Sequence, residues 1–445
     1  MAHASLELFG PNAEHSLVNQ HARLWRRCLR YVPAALLLVI ICGIGASEWH
    51  QISKQRMGAF ATYYGAASAL RQGHSPYGRL HGYPYVYPPF FAFVCQPLTL
   101  FSYDTATRTM LALDGLIILA ALVAGARAVH TRLEENPAWA RTFMIALLAA
   151  AITGVPIFRE LRTLQVNGIL LLGFALGLLW LDRHPTWAGL ALATAISIKY
   201  LPIIALPYLL LRRRWAAGAA VVIGIVGLGL LPALTLGWST NLHDLAIAQR
   251  GLFHAADADV TAASTAAAHV HSLTDPLNIS VTSSLARLAA SCGWPQWTAI
   301  VMTLCVAVIW FAGVLAVYRR ERLPLLRWPS ATGQAADPFH RAVALEWAGL
   351  VTAAIAFSPN GELIFAALPA CVVAALLRSS RSIAAGWLPA VIALMMWAAV
   401  TLPISAIGHL QTHQWNAVAA PCWILLAMYP VILLAREQRA ATPPR

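Results

Sequence analysis

Long apolar runs separated by short polar segments dominate the chain and predict about twelve membrane-crossing helices. One bilayer crossing needs roughly 20 predominantly apolar residues. The runs lie at 31–47, 105–127, 142–158, 166–181, 186–198, 200–211, 215–237, 297–318, 343–357, 362–377, 384–403 and 416–435. The pattern predicts an all-α polytopic membrane protein, with one transmembrane domain over residues 31–435.

The distribution of basic residues predicts the orientation of these helices. Cytoplasmic loops carry an excess of Lys and Arg. With the amino terminus inside, about two thirds of the 31 Lys and Arg residues fall on the inner side. Segments 1–30 and 436–445 are then cytoplasmic, and two large loops, 48–104 and 238–296, face outwards.

The first large loop contains two further predicted helices. Apolar positions recur at helical spacing between Gln55 and Gln72, which predicts an amphipathic helix on the outer leaflet. The stretch from Pro84 to Phe101 is apolar but short and rich in proline. It is typical of a juxtamembrane or re-entrant helix, which a protein-lined cavity tolerates.

Composition excludes several classes of protein. The chain has 445 residues, of which 59% are apolar and 11% charged; soluble domains carry about 25% charged residues. The net charge of +13 comes from Arg between apolar runs, without the basic, aromatic-rich tail that nucleic-acid binding favours. The seven Cys form no CxxC pair, and no nucleotide-binding loop is present. The sequence predicts no nucleic-acid partner and no cofactor, and leaves a divalent metal open.

Lys199 is a candidate ligand for an anionic headgroup. It is one of only two lysines, and it separates two short apolar runs. A Lys at membrane depth usually faces a cavity and has a function, such as binding a lipid phosphate. The alternative is a Lys that reaches from a helix end to the membrane surface.

The segment from Arg159 to Asn167 is a second candidate site. Arg159 and Arg162 can bind a phosphate, because guanidinium groups suit bidentate recognition of oxyanions. The amides of Gln165 and Asn167 can bind a sugar hydroxyl. The alternative is a salt-bridged and capped helix end.

Aromatic and acidic residues complete the candidates. Tyr63, Tyr64 and Tyr87 can stack on a sugar or an isoprenoid chain, or they form an anchoring belt at the membrane surface. Asp114 lies within an apolar run, where it is either functional or paired with a neighbouring helix. Glu362 either caps the helix that it opens or takes part in catalysis.

These motifs, in this order, resemble glycosyltransferase family 87, whose members have the GT-C membrane fold. The resemblance covers roughly residues 55 to 370 and is most specific between Gln165 and Lys199. It rests on Tyr63-Tyr64-Gly65-Ala66-Ala67, Pro76-Tyr77, Tyr87-Pro88-Pro89-Phe90, Leu164-Gln165-Val166-Asn167, Ala188-Gly189-Leu190, Lys199 with Pro202, Arg213-Arg214-Trp215, Asn278 with Ser280, and Ser358-Pro359.

The resemblance implies a function at a bacterial plasma membrane. A polyprenyl-phosphate donor would give up a mannose-like or arabinofuranose-like sugar to a glycolipid or glycan on the periplasmic face. A carboxylate would deprotonate the acceptor, and Lys199 with Arg159 or Arg162 would stabilise the departing phosphate.

One departure from the family pattern concerns the base. The family usually places Asp shortly before the paired tyrosines, and this chain has Ala59 there. Glu48, Glu160 and Glu362 are the alternative candidates for the base. A protein of the same fold that binds or translocates a lipid-linked sugar without catalysis is the rival interpretation.

Overall fold

All regular structure in the described part of the chain is helical, which confirms the predicted all-α class. The computed structural model describes residues 31–49, 59–77, 85–133, 137–256, 273–275, 278–295, 297–323, 338–358, 361–379, 383–405 and 418–435. The segments 1–30 and 436–445, predicted to be cytoplasmic, lie outside the described residues.

The described residues form a succession of α-helices with short 3₁₀ segments between some of them. The α-helices are α1 (Val32–Glu48), α2 (Ala59–Arg71), α3 (Pro89–Cys95), α4 (Tyr103–Leu133), α5 (Trp139–Ile152), α6 (Gly154–Thr163), α7 (Asn167–Trp180), α8 (Pro185–Ile198), α9 (Ala205–Leu211), α10 (Trp215–Leu230), α11 (Ala233–Leu236), α12 (Trp238–Ala256), α13 (Val281–Ser291), α14 (Trp297–Arg320), α15 (Pro338–Phe357), α16 (Ala367–Ser379), α17 (Ile383–Ser405) and α18 (Ala420–Ala435). The 3₁₀ helices are Gln96–Leu100, Leu201–Ile204 and Leu363–Ala366.

Each of the twelve apolar runs contains helix, but fewer helices have the length of a full crossing. Among the described residues, Tyr103–Leu133, Trp215–Leu236 and Trp297–Arg320 are long and apolar enough. The bent pair α5 and α6 makes a fourth if it is one broken span. The other apolar helices are shorter than the roughly 20 residues of a straight crossing, so the twelve crossings stay a prediction.

The break between α5 and α6 has a local cause. The two helices meet at 75° around Thr153. Pro156 has no N–H for the helix ladder, and the Thr153 hydroxyl donates to the Ala149 carbonyl at 2.8 Å. As a result α6 runs across the neighbouring helices and carries Glu160 towards the start of α7.

The amphipathic helix predicted between Gln55 and Gln72 is α2, and its apolar face packs on protein. Phe60, Ala67 and Leu70 are buried, and the helix packs against α3 and the 3₁₀ helix that follows it. The helical periodicity is confirmed, and the position of α2 relative to the outer leaflet stays a prediction.

Small residues allow the central helices α4, α7, α8 and α10 to approach one another closely. An added Cβ at Gly189 in α8 would lie 2.3 Å from the Ala217 carbonyl oxygen of α10. Close contact at small residues is a common way to pack helices in membranes, where hydrophobicity gives little driving force for association.

One end of this central group is held by partly buried ionic contacts. Asp182, in the turn between α7 and α8, pairs with Arg132 at the end of α4 at 2.6 Å and with Arg214 at the start of α10. Burial favours the neutral form of Asp182, but the two guanidiniums outweigh it and hold the pKa of this carboxyl below its ordinary value. Arg132 and Arg214, both on the predicted cytoplasmic side, therefore link the ends of α4 and α10 to the turn between α7 and α8.

Candidate active site

A tight turn between α6 and α7 brings Glu160 against the first residue of α7. Leu164 adopts a left-handed backbone conformation with a φ of 49°, which residues other than glycine rarely take. Within this turn the Glu160 carboxylate accepts the backbone N–H of Asn167 at 2.7 Å and its Nδ2 at 3.2 Å. A carboxylate at this place stabilises the positive end of the helix.

Asn167 links the turn to Lys199. Its Nδ2 also donates to Oε1 of Gln165 at 3.0 Å. Because both amide hydrogens point to Glu160 and Gln165, the Oδ1 atom is free to face Lys199, whose Nζ donates to it at 3.1 Å. The hydrogen bonds thus join four candidates from the sequence: Glu160, Gln165, Asn167 and Lys199.

Lys199 is the cation at the centre of the site. It follows α8 directly in an extended conformation, and its Nζ lies 3.3 Å from Oε1 of Glu362. Burial lowers the pKa of Lys199, but the carboxylates of Glu362 and Glu160 outweigh burial and raise it above the ordinary value. The side chain is 20% exposed, so it is not sealed inside the protein.

Glu362 reaches the site from the other half of the chain. It precedes the 3₁₀ helix Leu363–Ala366, and its side chain does not cap that helix. The carboxylate points to Lys199 and is 22% exposed. Capping, one of the two interpretations open from the sequence, is therefore not what this side chain does.

A glycine fixes the position of Glu362. An added Cβ at Gly361 would lie 2.5 Å from the carbonyl oxygen of Ile355. That distance is shorter than real Cβ contacts, so a side chain at this position would displace the backbone and Glu362 with it.

The aromatic residues separate into two groups. The Tyr63 ring is buried edge-on between Tyr87 and Phe91, and its hydroxyl lies 3.2 Å from that of Tyr87. Tyr87 is partly exposed and contributes to the electrostatic environment of Lys199. Tyr64 points elsewhere and donates to the Phe101 carbonyl. Tyr87 alone of the three predicted stacking residues offers an accessible ring beside the site.

Three other candidates lie outside the hydrogen-bonded cluster. Arg159 and Arg162 have exposed side chains, and Arg162 lies over the Phe158 ring at 6.0 Å. Glu48 is buried at the end of α1, where Oε2 has no hydrogen-bond partner among the described residues. None of the three makes a hydrogen bond to the cluster among the described residues, so their roles in donor binding and catalysis stay predictions.

Asp114 lies behind the cluster. It is fully buried, and neither carboxyl oxygen has a hydrogen-bond partner among the described residues. An added Cβ at Gly168 would lie 2.6 Å from Asp114 Oδ1, so the two helices meet directly beside Asn167.

A contact between the two predicted outer loops was not expected from the sequence. The Ser75 hydroxyl donates to Oδ1 of Asp244 in α12 at 2.8 Å, and the Tyr77 hydroxyl donates to the Tyr87 carbonyl at 2.6 Å. These bonds fix the segment that carries Tyr87. No local sequence pattern predicts the bond between Ser75 and Asp244, because the two residues are far apart along the chain.

Among the residues that the structure describes, no three His, Cys, Asp or Glu side chains are placed to hold a metal ion. The site consists of one ammonium, two carboxylates and two amides. Such a set can bind an oxyanion and accept a proton.

The comparisons with known proteins agree with the sequence resemblance. The sequence profile of glycosyltransferase family 87 matches residues 85–335, more than half of the chain, and the chain belongs to this family. A polyprenol-phosphate-mannose-dependent alpha-(1-2)-phosphatidylinositol pentamannoside mannosyltransferase from Mycobacterium tuberculosis is 27% identical over 215 residues. That match covers 45% of this chain and 47% of the relative.

Proposed function

We propose that this protein transfers a mannose-like or arabinofuranose-like sugar from a polyprenyl phosphate to a glycolipid or glycan on the periplasmic face. The family and the name of the mycobacterial relative support a lipid-phosphate donor. The observation that carries the proposal is the ammonium of Lys199, oriented by Asn167 and paired with Glu362 in an accessible position.

Lys199 binds the phosphate of the donor. Its charge stabilises the polyprenyl phosphate as the bond to the sugar breaks, which is where fixed charges accelerate a reaction most. Asn167 holds Lys199 in place, and Gln165, which is partly exposed and bonded to Asn167, offers its amide to the sugar. Glu160 is buried and engaged by Asn167 through both oxygens, so it serves as a positioning residue.

Glu362 is the best-placed base. The acceptor hydroxyl forms a bond to the anomeric carbon and gives its proton to Glu362, while the bond from that carbon to the phosphate oxygen breaks with its electron pair. The reaction then inverts the anomeric centre, which requires the base and the phosphate on opposite faces of the sugar. Glu362 must therefore leave Lys199 when the donor phosphate takes its place.

The contacts at the two ends of α7 and α8 support the proposed orientation of the site in the membrane. The Lys199 site lies at the end where α7 begins and α8 ends, and the Asp182 ion pairs lie at the other end. Basic residues cluster at the Asp182 end, as they do on the cytoplasmic side of membrane proteins. The site then faces the periplasm of a bacterial plasma membrane, with both termini inside.

A second candidate is a protein of this fold that binds or translocates a lipid-linked sugar without transferring it. Ala59, in place of the usual acidic residue, favours this alternative. Transfer by purified protein from a panel of radiolabelled polyprenyl-phosphate sugars to membrane glycolipids decides between the two. A labelled product supports the transferase, and donor binding without product supports the alternative.

A further inference from the structure

An apolar groove lies between α1 and α4, beside the site but separate from it. It encloses about 580 Å³, within the range of roughly 300–1,000 Å³ typical of ligand sites. On the α1 side its lining residues include Leu38, Ile41, Gly45 and Trp49. These positions recur at helical spacing, so one continuous face of α1 forms the wall.

The opposite wall and the inner edge place the groove next to the site. The α4 wall extends from Leu111 to Leu119, and Leu161 of α6 completes the lining. The residue before Leu161 is Glu160, which holds Asn167. The groove therefore borders α6, the helix that carries Glu160.

The length of the groove indicates which kind of lipid chain fits it. Leu38 to Trp49 spans eleven residues, or roughly 16 Å along a helix. The hydrocarbon core of a bilayer is about 30 Å thick, so one leaflet contributes about half of that. The groove thus has the length of one acyl chain from a single leaflet, whereas a polyprenyl chain extends further.

Arg108, at one end of the groove, indicates which lipid headgroup fits there. Arg108 precedes Leu111 by one helical turn, and its guanidinium lies 5.7 Å from the centre of the Trp49 ring. Its Nε is buried and has no hydrogen-bond partner among the described residues. A guanidinium at the end of an apolar channel complements the phosphate of a lipid headgroup.

We propose that this groove holds one acyl chain of an anionic phospholipid-type acceptor, with Arg108 against its headgroup phosphate. The role of this lipid as acceptor rests on the proposed transferase function, whereas its binding in the groove does not. The donor phosphate takes Lys199 on one side of α6, and the acceptor reaches the sugar from the other.

The test uses a phosphatidylinositol probe with a photoactivatable diazirine in its acyl chain, in phosphatidylcholine nanodiscs with the full-length protein. After irradiation, mass spectrometry locates the label. We expect labelled peptides from the facing walls of α1 and α4 above the level on α14, whose exposed residues report contact with bulk lipid.

Two glycines of α1 provide matched variants. An added Cβ at Gly45 or Gly43 meets no atom within 4 Å, and Gly45 alone of the two lines the groove. Gly45→Phe fills the groove and should lower labelling of its walls at least about fivefold, since a filled space excludes the chain. Gly43→Phe should leave labelling within about twofold. Equal labelling in both variants would overturn the proposal, and the smaller Gly45→Leu checks that the loss is graded.

The headgroup and the identity of the chain are tested separately. Arg108→Gln should lower labelling by the phosphatidylinositol probe and leave that by a diazirine diacylglycerol unchanged. Equal effects on both probes would contradict the role of Arg108. Stronger groove labelling by a diazirine polyprenyl phosphate would show that the occupant is the donor and the proposal is wrong. None of these measurements needs turnover, so they stand apart from the transfer assay.

Discussion

The Nζ atom of Lys199 lies 3.3 Å from a carboxylate oxygen of Glu362, although 163 residues separate them in the chain. In the proposed mechanism, this ion pair neutralises the charge that the donor phosphate needs. Donor binding then competes with Glu362 for Lys199, and the carboxylate becomes available as a base when the phosphate displaces it. The proposed mechanism thus couples occupation of the site to its reactivity.

Glu362→Gln separates these two effects. The amide no longer competes as an anion for Lys199, so the KM for the donor should stay the same or fall. The kcat should fall by about 10²–10⁴-fold, the usual contribution of a general base. Steady-state kinetics at several donor concentrations measure both parameters, and a raised KM with unchanged kcat would assign Glu362 to binding alone.

Glu48→Gln is the matched control, because Glu48 is a buried carboxylate outside the cluster. It should retain the kcat of the unaltered protein. An inactive Glu48→Gln with an active Glu362→Gln would move the base to Glu48.

Glu160→Ala should act through Asn167. It leaves two amide donors of Asn167 without their acceptor, which costs about 1–3 kcal/mol per unsatisfied group, and it frees the amide that orients Lys199. We expect a lower melting temperature in detergent and a raised donor KM. Glu160→Gln keeps one acceptor oxygen and should be milder in both respects; the reverse order would contradict a positioning role.

Gly361→Ala tests the placement of Glu362 without altering its chemistry. The added Cβ would lie 2.5 Å from the Ile355 carbonyl oxygen, so the backbone must shift and kcat should fall. Gly313→Ala is the control, since an added Cβ there meets no atom within 4 Å and alanine favours a helix over glycine. Loss of kcat in both variants, or in neither, would contradict the argument.

The Asp182 ion pairs predict how stability depends on pH. The pKa of Asp182 is depressed in the folded protein, so its contribution is present above the unfolded value of about 3.9 and is lost as the pH falls through the folded pKa. Asp182→Asn should lower the free energy of unfolding by about 1–3 kcal/mol at neutral pH, because one buried and one partly buried guanidinium lose their anionic partner. The difference between the two proteins should persist from pH 7 to about pH 4 and shrink below it, which thermal unfolding extended to about pH 2 can follow.

Much of the fold could be predicted, because apolar runs and helical spacing are local properties of the sequence. Each predicted run contains helix, and α2 appears where its periodicity indicated. Two features could not be predicted. The helices α12 and α13 lie in a segment with mixed polarity, so no apolar run marks them. The apolar face of α2 packs on protein, and periodicity cannot distinguish a protein surface from lipid.

The candidate site was predicted in part. Gln165, Asn167 and Lys199 lie close together, as their shared position at one end of neighbouring helices suggested, and two of the three candidate carboxylates, Glu160 and Glu362, join them. Sequence position could not show that Glu160 is buried against Asn167 while Arg159 and Arg162 are exposed, because this depends on the turn at Leu164. The contact between Ser75 and Asp244 depends on tertiary packing alone.

The most direct test of the account is transfer of a radiolabelled sugar from a polyprenyl phosphate by the purified protein and by Lys199→Ala. Removal of the ammonium should lower kcat/KM by about 10²–10³-fold, the scale of one lost electrostatic contact to a developing charge, and Lys199→Arg should recover part of it. Unchanged transfer by Lys199→Ala would show that the phosphate binds elsewhere and would contradict the proposed site.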